Sequence, residues 1–278
     1  MPWLQDWKPT DPIQILVYGA AKTGKSWGAL TAPRPVVFDF DRGIATARSL
    51  DFVKQFGHRQ IFYEVFNASM SGAIPRNYEA FDSACKYFDE WMKPSGRWNG
   101  VQVGRDMFDT FVIDSGTSLS ELAQHKALIV LNSMKLSKAY EEAIKTGVVV
   151  PRIQDYGSER SLVEQFVDMV LGSGKNVILI CHEKEVTTDT GAVTAIVPLL
   201  TGKSSEVIPM KFDEVFNLRI KKVGPDVKRY LQTQPDGIRK AGSRYGVPNE
   251  SEWNWSAIQS TLTKIKAQMV TPTPTVKD

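Results

Sequence analysis

The chain predicts an α/β fold: a mostly parallel β-sheet flanked by helices, with antiparallel strands late in the sequence. Three observations predict it. Short, solidly apolar runs alternate with amphipathic segments, as parallel strands buried on both faces by crossover helices would. The first run, Ile13–Tyr18, feeds directly into a glycine loop and a helix start. Gly19, Asp41, Asp114 and His182 each follow an apolar run, where open α/β sheets gather their ligands.

Taken in order, residues 1–11 read as an N-terminal arm. Its Trp3 and Trp7, four apart, suit packing on the chain's own core or on a neighbouring subunit. Residues 12–269 read as one domain and 270–278, rich in Pro and Thr, as a disordered tail. Ile13–Tyr18 is the first strand, Val36–Phe38 the second, and Ile61–Phe66 a third apolar run. Tyr78, Phe81, Cys85, Phe88 and Met92 recur at helical spacing, which predicts an amphipathic helix over 77–92. Residues 94–104 are turn-rich, and Phe111–Asp114 is a strand ending in an acid. A helix follows over 118–131. Ser158 is placed to cap another, carrying Leu162, Phe166 and Val170. Val177–Ile180 is the next core strand. Residues 185–198 form a hairpin around Asp189-Thr190-Gly191, and 201–205 a polar loop. Residues 215–223 and 229–233 are late strands, and 252–269 a last helix.

Bulk properties narrow the classes. With 34 basic and 31 acidic residues the net charge is +3, too small to argue for a nucleic-acid partner on charge alone. Cys85 and Cys181 are the only cysteines, which gives neither a disulfide framework nor metal-ligand spacing and suits a reducing compartment. The three histidines are scattered. The start lacks the regions of a signal peptide, and no apolar run nears the ~20 residues that span a bilayer. The expectation is a cytoplasmic protein with no membrane association.

The chemistry centres on Gly19, Ala20, Ala21, Lys22, Thr23, Gly24, Lys25 and Ser26, followed by Trp27. These fit the phosphate-loop pattern G-x-x-x-x-G-K-[ST] at every fixed position. Glycines let backbone N–H groups curl around phosphate oxygens, and the helix start adds partial positive charge. Lys25 is placed to reach the β- and γ-phosphates of ATP, and Ser26 to hold Mg²⁺. Asp114, about 90 residues on, is the second magnesium-site candidate, since Mg²⁺ takes one or two carboxylates beside phosphate and water. Asp39 and Asp41 follow the second strand. Asp41 is the candidate for activating the attacking water, with a cap or turn acid as its alternative role. His182 is the candidate for contacting the γ-phosphate and relaying its loss; a structural histidine is the alternative.

These residues resemble a known family. Val36–Gly43 resembles the RecA-like segment hydrophobic-Asp-x-Glu-Gly, whose glutamate is the base; Asp41 here is one methylene shorter. Phe111–Ser115 resembles that family's acidic strand, and Ile178–His182 the strand ending in its sensor residue. Histidine in that place, with Gln154-Asp155-Tyr156-Gly157, Leu200-Thr201-Gly202-Lys203 and Phe212-Asp213-Glu214-Val215, looks like phage ATP-binding proteins with a minimal RecA core. That group includes single-strand annealing proteins of recombination modules. The resemblance spans about residues 13–250 and implies a RecA-like P-loop NTPase core, an ATPase stimulated by DNA, self-assembly into a ring or filament, and single-stranded DNA as partner, with a single-stranded DNA-binding protein as a further one. It places Arg244, in Ala241-Gly242-Ser243-Arg244, as a finger reaching a neighbour's nucleotide. It also places DNA-facing loops at about 132–157 and 184–206, which carry Lys135, Lys138, Lys145, Arg152, Lys184 and Lys203. An ordinary solvated surface accounts for those lysines equally well. Two other functions compete. One is a nucleotide-dependent partner or loader with little turnover. The other is a small-molecule kinase, disfavoured because no arginine-rich lid segment is evident.

Overall fold

The apolar runs become strands of one sheet because helices cover both of its faces. The computed structural model describes residues 12–66, 70–71, 74–75, 77–98, 100–128, 153–224 and 226–270. It opens with β1 (Gln14–Gly19), α1 (Lys25–Ala29), β2 (Pro35–Asp39), a 3-10 segment (Gly43–Arg48), α2 (Leu50–Phe56) and β3 (Phe62–Val65). Two small pairs follow, β4 (Met70–Ser71) with β5 (Ile74–Pro75), and β6 (Arg97–Trp98) with β7 (Val101–Gln102). They flank α3 (Asn77–Trp91). Next come β8 (Thr110–Asp114), α4 (Gly116–Lys126), α5 (Ile153–Leu171), β9 (Asn176–Thr187), β10 (Val193–Pro198) and α6 (Ser204–Met210). The chain closes with β11 (Glu214–Val223), β12 (Asp226–Gln232), β13 (Gly242–Ser243), β14 (Ser251–Glu252) and α7 (Trp255–Val270).

The main sheet has the order β14-β12-β11-β1-β9-β8-β2-β3. From β11 to β3 every neighbouring pair is parallel; β12, β14, β10 and β13 join antiparallel. Strand parity divides the core in two. Tyr18, Phe38, Phe111, Ile113 and Leu179 face α3, α4 and α5, whereas Val17, Val37, Val112, Ile178 and Leu231 face α1, α2 and α7. Aromatic contacts tie the first half together: Phe38 lies 5.0 Å from Trp91 and 5.3 Å from Phe166, centroid to centroid.

Register brings the strand ends together. Gly19 pairs with His182, Asp114 with Ile180, and Asp39 with Asp114. The glycine loop, both acidic turns and the histidine therefore share one edge, as the sequence predicts.

Four local expectations change. Helix α5 begins at Ile153, so Ser158 lies inside it and caps nothing. The 201–205 segment is only partly a loop, since α6 starts at Ser204. β9 runs on through His182 to Thr187, because its outer half pairs with β10. The last helix starts at Trp255 rather than 252. The predicted arm (1–11), residues 129–152 and residues 271–278 lie outside the described residues. Among the described residues, no helix is long and apolar enough to cross a membrane.

Candidate functional site

The chain leaves β1 at Gly19, where a Cβ would come within 2.7 Å of the Leu218 carbonyl on β11. Strand proximity thus demands glycine there. Lys22 and Gly24 both adopt left-handed backbone, at φ 63° and 96°, the kind of turn that builds an anion-binding concavity from N–H groups. Inside the loop, Thr23 Oγ1 donates to the Ala20 carbonyl at 2.9 Å. The Lys25 ammonium donates to the carbonyls of Gly19 (2.9 Å) and Ala20 (2.7 Å). It has three donors, so one remains for an anion. Burial draws the Lys25 pKa down, against the opposing charges of Asp114, Glu183 and Asp41. Helix α1 has only five residues, so its dipole is small. It is held from beneath instead: Trp253 Nε1 donates to the Lys25 carbonyl at 2.9 Å. A Cβ on Gly28 would meet that indole at 2.2 Å.

The acids are built in layers. Ser26 Oγ donates to Asp114 Oδ2 at 2.6 Å, which joins the loop to the end of β8. Burial pushes the Asp114 carboxyl up to about 6; the Ser26 bond and Lys25 oppose this, while Asp39 and Asp41 reinforce it. Asp39 is wholly buried and accepts from the amides of Gly43 (2.8 Å) and Ile44 (3.2 Å). It shapes the turn that presents Asp41. Gly43 closes that turn against Asp114, whose Oδ2 would lie 2.2 Å from a Cβ there. Asp41 accepts from Ser118 Oγ and lies 3.5 Å from His182 Nε2. Burial raises its pKa, but hydrogen bonds from His182, Ser115 and Ser118 outweigh that and hold it below the usual carboxylate range. His182 is itself fixed through its backbone amide, which donates to Thr117 Oγ1 at 3.0 Å. The Asp114–Ser115 peptide is cis, and Ser115 caps α4 by accepting from the Ser118 amide at 3.3 Å.

One cavity of about 590 Å³ collects Lys25, Ser26, Asp41, Asp114, His182 and Arg229. Ala21, Lys22, Gly24 and Trp27 also line it. Among the described residues, no three His, Cys, Asp or Glu side chains are spaced to hold a metal by themselves. A cation at Ser26 and Asp114 would therefore need further oxygens from a ligand or water, which is how Mg²⁺ is bound beside phosphate. The hydroxyl–carboxylate pair fits that hard ion.

Other predicted residues stand apart. Arg244 pairs with Asp213 where β13 meets the N-terminal end of β11, away from the loop. Lys184 lies within β9 and donates to the Leu200 carbonyl at 2.8 Å; burial lowers its pKa. Lys203 is exposed at the start of α6. Lys135, Lys138, Lys145 and Arg152 lie outside the described residues. Sequence reasoning missed Thr117 and Ser118, although the hydroxyl-rich run Ser115-Gly116-Thr117-Ser118 directly after Asp114 is a usable signal. It also missed Arg229, because the basic run around it reads as a solvated strand face.

A strand ending in a phosphate loop, with an acid ending a parallel strand two places along the sheet and one further strand between them, defines a P-loop NTPase. Residues 11–245 match the AAA domain family, and the chain belongs to that family of ATPases. A solved KaiC-like protein from the hyperthermophilic archaeon Pyrococcus horikoshii OT3 is similar at 15% identity and a TM-score of 0.39, over 80% of this chain and 78% of its own. Likeness at that level carries no weight for function. No curated protein sequence matches the chain at a significant level.

Proposed function

We propose that the protein binds ATP with Mg²⁺ and hydrolyses it slowly, acting as a homo-oligomer on single-stranded DNA. The observation that carries the ATP half is the 2.6 Å bond from Ser26 to Asp114 beneath a cavity that also holds Lys25, Asp41 and His182. The loop amides and the third donor of Lys25 bind the phosphate tail. Ser26 and Asp114 would hold the ion, which would supply charge neutralisation at the phosphates. Asp41 orients the attacking water. Its carboxyl accepts from Ser118 and faces His182, so loss of a phosphate contact at the imidazole is felt by Asp41 and by the β9–β10 hairpin.

Turnover is expected to be slow. A general base works best with a pKa near the operating pH, yet Asp41 is held below the usual range. That observation favours a second reading, a nucleotide-dependent partner or loader that binds ATP and scarcely turns it over.

Support for single-stranded DNA comes from the ordered set of sequence segments that resemble phage RecA-like proteins, and from exposed Lys203 beyond the β9–β10 hairpin. In that reading Arg244 serves a neighbouring subunit. Phosphate release with and without single-stranded DNA, in the wild type and Lys25→Ala, tests the whole proposal. DNA-stimulated release lost in Lys25→Ala is the expected result. ATP uptake without release selects the loader. An oligonucleotide mobility shift that is absent, or indifferent to salt, removes DNA as the partner.

A further inference from the structure

We infer that Arg229 contacts the nucleotide where its phosphates meet the nucleoside, and that the groove beyond Arg229 receives the nucleoside. This rests on the ATP reading above and assigns a residue and a subsite to it.

Arg229 lies on β12, paired with Ile220 of β11. It shares strand parity with Leu231, which is buried in the core on the α1 side. The side chain lies over the phosphate loop at Gly24, whereas Lys221, Lys222 and Lys228 of the same hairpin are exposed. It sits directly on the glycine before Lys25: a Cβ on Gly24 would lie 2.4 Å from Arg229 Nε and 2.7 Å from its Cδ. The guanidinium carbon is 5.0 Å from the centre of the Trp27 ring, a cation–π arrangement. Its Nε is buried with no hydrogen-bond partner, and among the described residues no carboxylate pairs with its guanidinium. A buried donor left unmade is costly. A guanidinium held over an aromatic ring beside a phosphate-binding loop is shaped for a phosphate oxygen.

Two cavities meet at this residue. The phosphate cavity and a second groove of about 650 Å³ share Trp27 and Arg229 as walls. The groove adds Phe56, Tyr230 and Trp253 as aromatic surface, with Lys228 and Glu252 as polar groups. Aromatic walls with a few polar groups suit a purine nucleoside. Because Arg229 stands at the junction, its partner is a phosphate near the nucleoside and not the terminal one.

Calorimetric binding of ATP and of ADP, with Mg²⁺, to the full-length wild type, Lys25→Ala, Arg229→Ala and Arg229→Gln tests this. Arg229→Ala is expected to weaken ATP and ADP by a similar factor, about tenfold, with an unchanged melting temperature. Nucleotide should also change tryptophan emission, and Trp27→Phe should remove most of that change. Wild-type affinity in Arg229→Ala, or a loss confined to ATP, overturns the inference and leaves the ATP reading standing. Failure of the wild type to take up ATP overturns that reading, and the inference with it. If Arg229→Ala does not fold, Arg229→Gln decides: unchanged affinity for both nucleotides overturns the inference.

Discussion

Asp114 and Glu214 are both buried carboxyls on the central sheet, and burial raises both, to about 6 and about 7. They sit at opposite edges: Asp114 ends β8 beside the phosphate loop, and Glu214 begins β11. Asp114 is met by the Ser26 hydroxyl, with Lys25 adding opposite charge, and it lines a cavity. Glu214 accepts from the Tyr245 amide at 3.3 Å through Oε1, while its Oε2 is buried without a partner. A perturbed acid is thus not enough to mark a site. Glu214 too is drawn down by a hydroxyl, Ser243, and an ammonium, Lys266, so the bond from the phosphate loop and the open volume beside it separate the functional edge from the structural one.

Mutation can sharpen or break that contrast. The largest effect belongs to the loop: Lys25→Ala is expected to lower ATP turnover about 1,000-fold, measured as phosphate release. Asp41→Asn should lower turnover about 100-fold and leave ATP affinity within error in a calorimetric titration. Wild-type turnover in that variant would remove Asp41 as the water-orienting group. At the other edge the readout is stability. Glu214 holds its proton in the fold up to about 7, against 4.5 for the ordinary group, so the folded state binds more protons between those values. Stability contributed by this carboxyl is present below about 4.5 and is lost as pH rises through about 7. Glu214→Gln should abolish that dependence and stabilise the protein at pH 8 by about 2 kcal/mol, with no change in turnover. Thermal unfolding at pH 5 and pH 8 checks it; equal pH dependence in both proteins would make the two edges indistinguishable. The smallest effect is expected for Ser118→Ala. It removes one of the donors that hold Asp41 low, so the acid limb of the rate profile should move to higher pH.

Much of the functional edge is legible in the sequence because it is local. The phosphate loop lies within eight residues, and Asp41, Asp114 and His182 each stand just beyond or within an apolar run whose burial the composition predicts. Parallel pairing then brings those strand ends together without further information. What escapes is set by distant register. Arg229 reaches Gly24 only because β12 pairs with β11 and β11 with β1, and nothing near Arg229 in the chain separates it from its exposed lysine neighbours. In the chain Asp39 and Asp41 look alike as acids after the second strand, and it is the two amide contacts of Asp39 that make it the brace of the turn. Short α6, with Pro209 inside it, has too few residues to display a period. The early start of α5 is hidden by Gly157, which the sequence offers as a breaker.

The indole of Trp253 bonded to the Lys25 carbonyl joins positions 228 apart. During synthesis the glycine-rich segment leaves the ribosome long before the group that secures its geometry exists. A nascent chain therefore carries the most diagnostic stretch of the molecule while lacking the clasp that finishes it, and competence for nucleotide waits until Trp253 has been made.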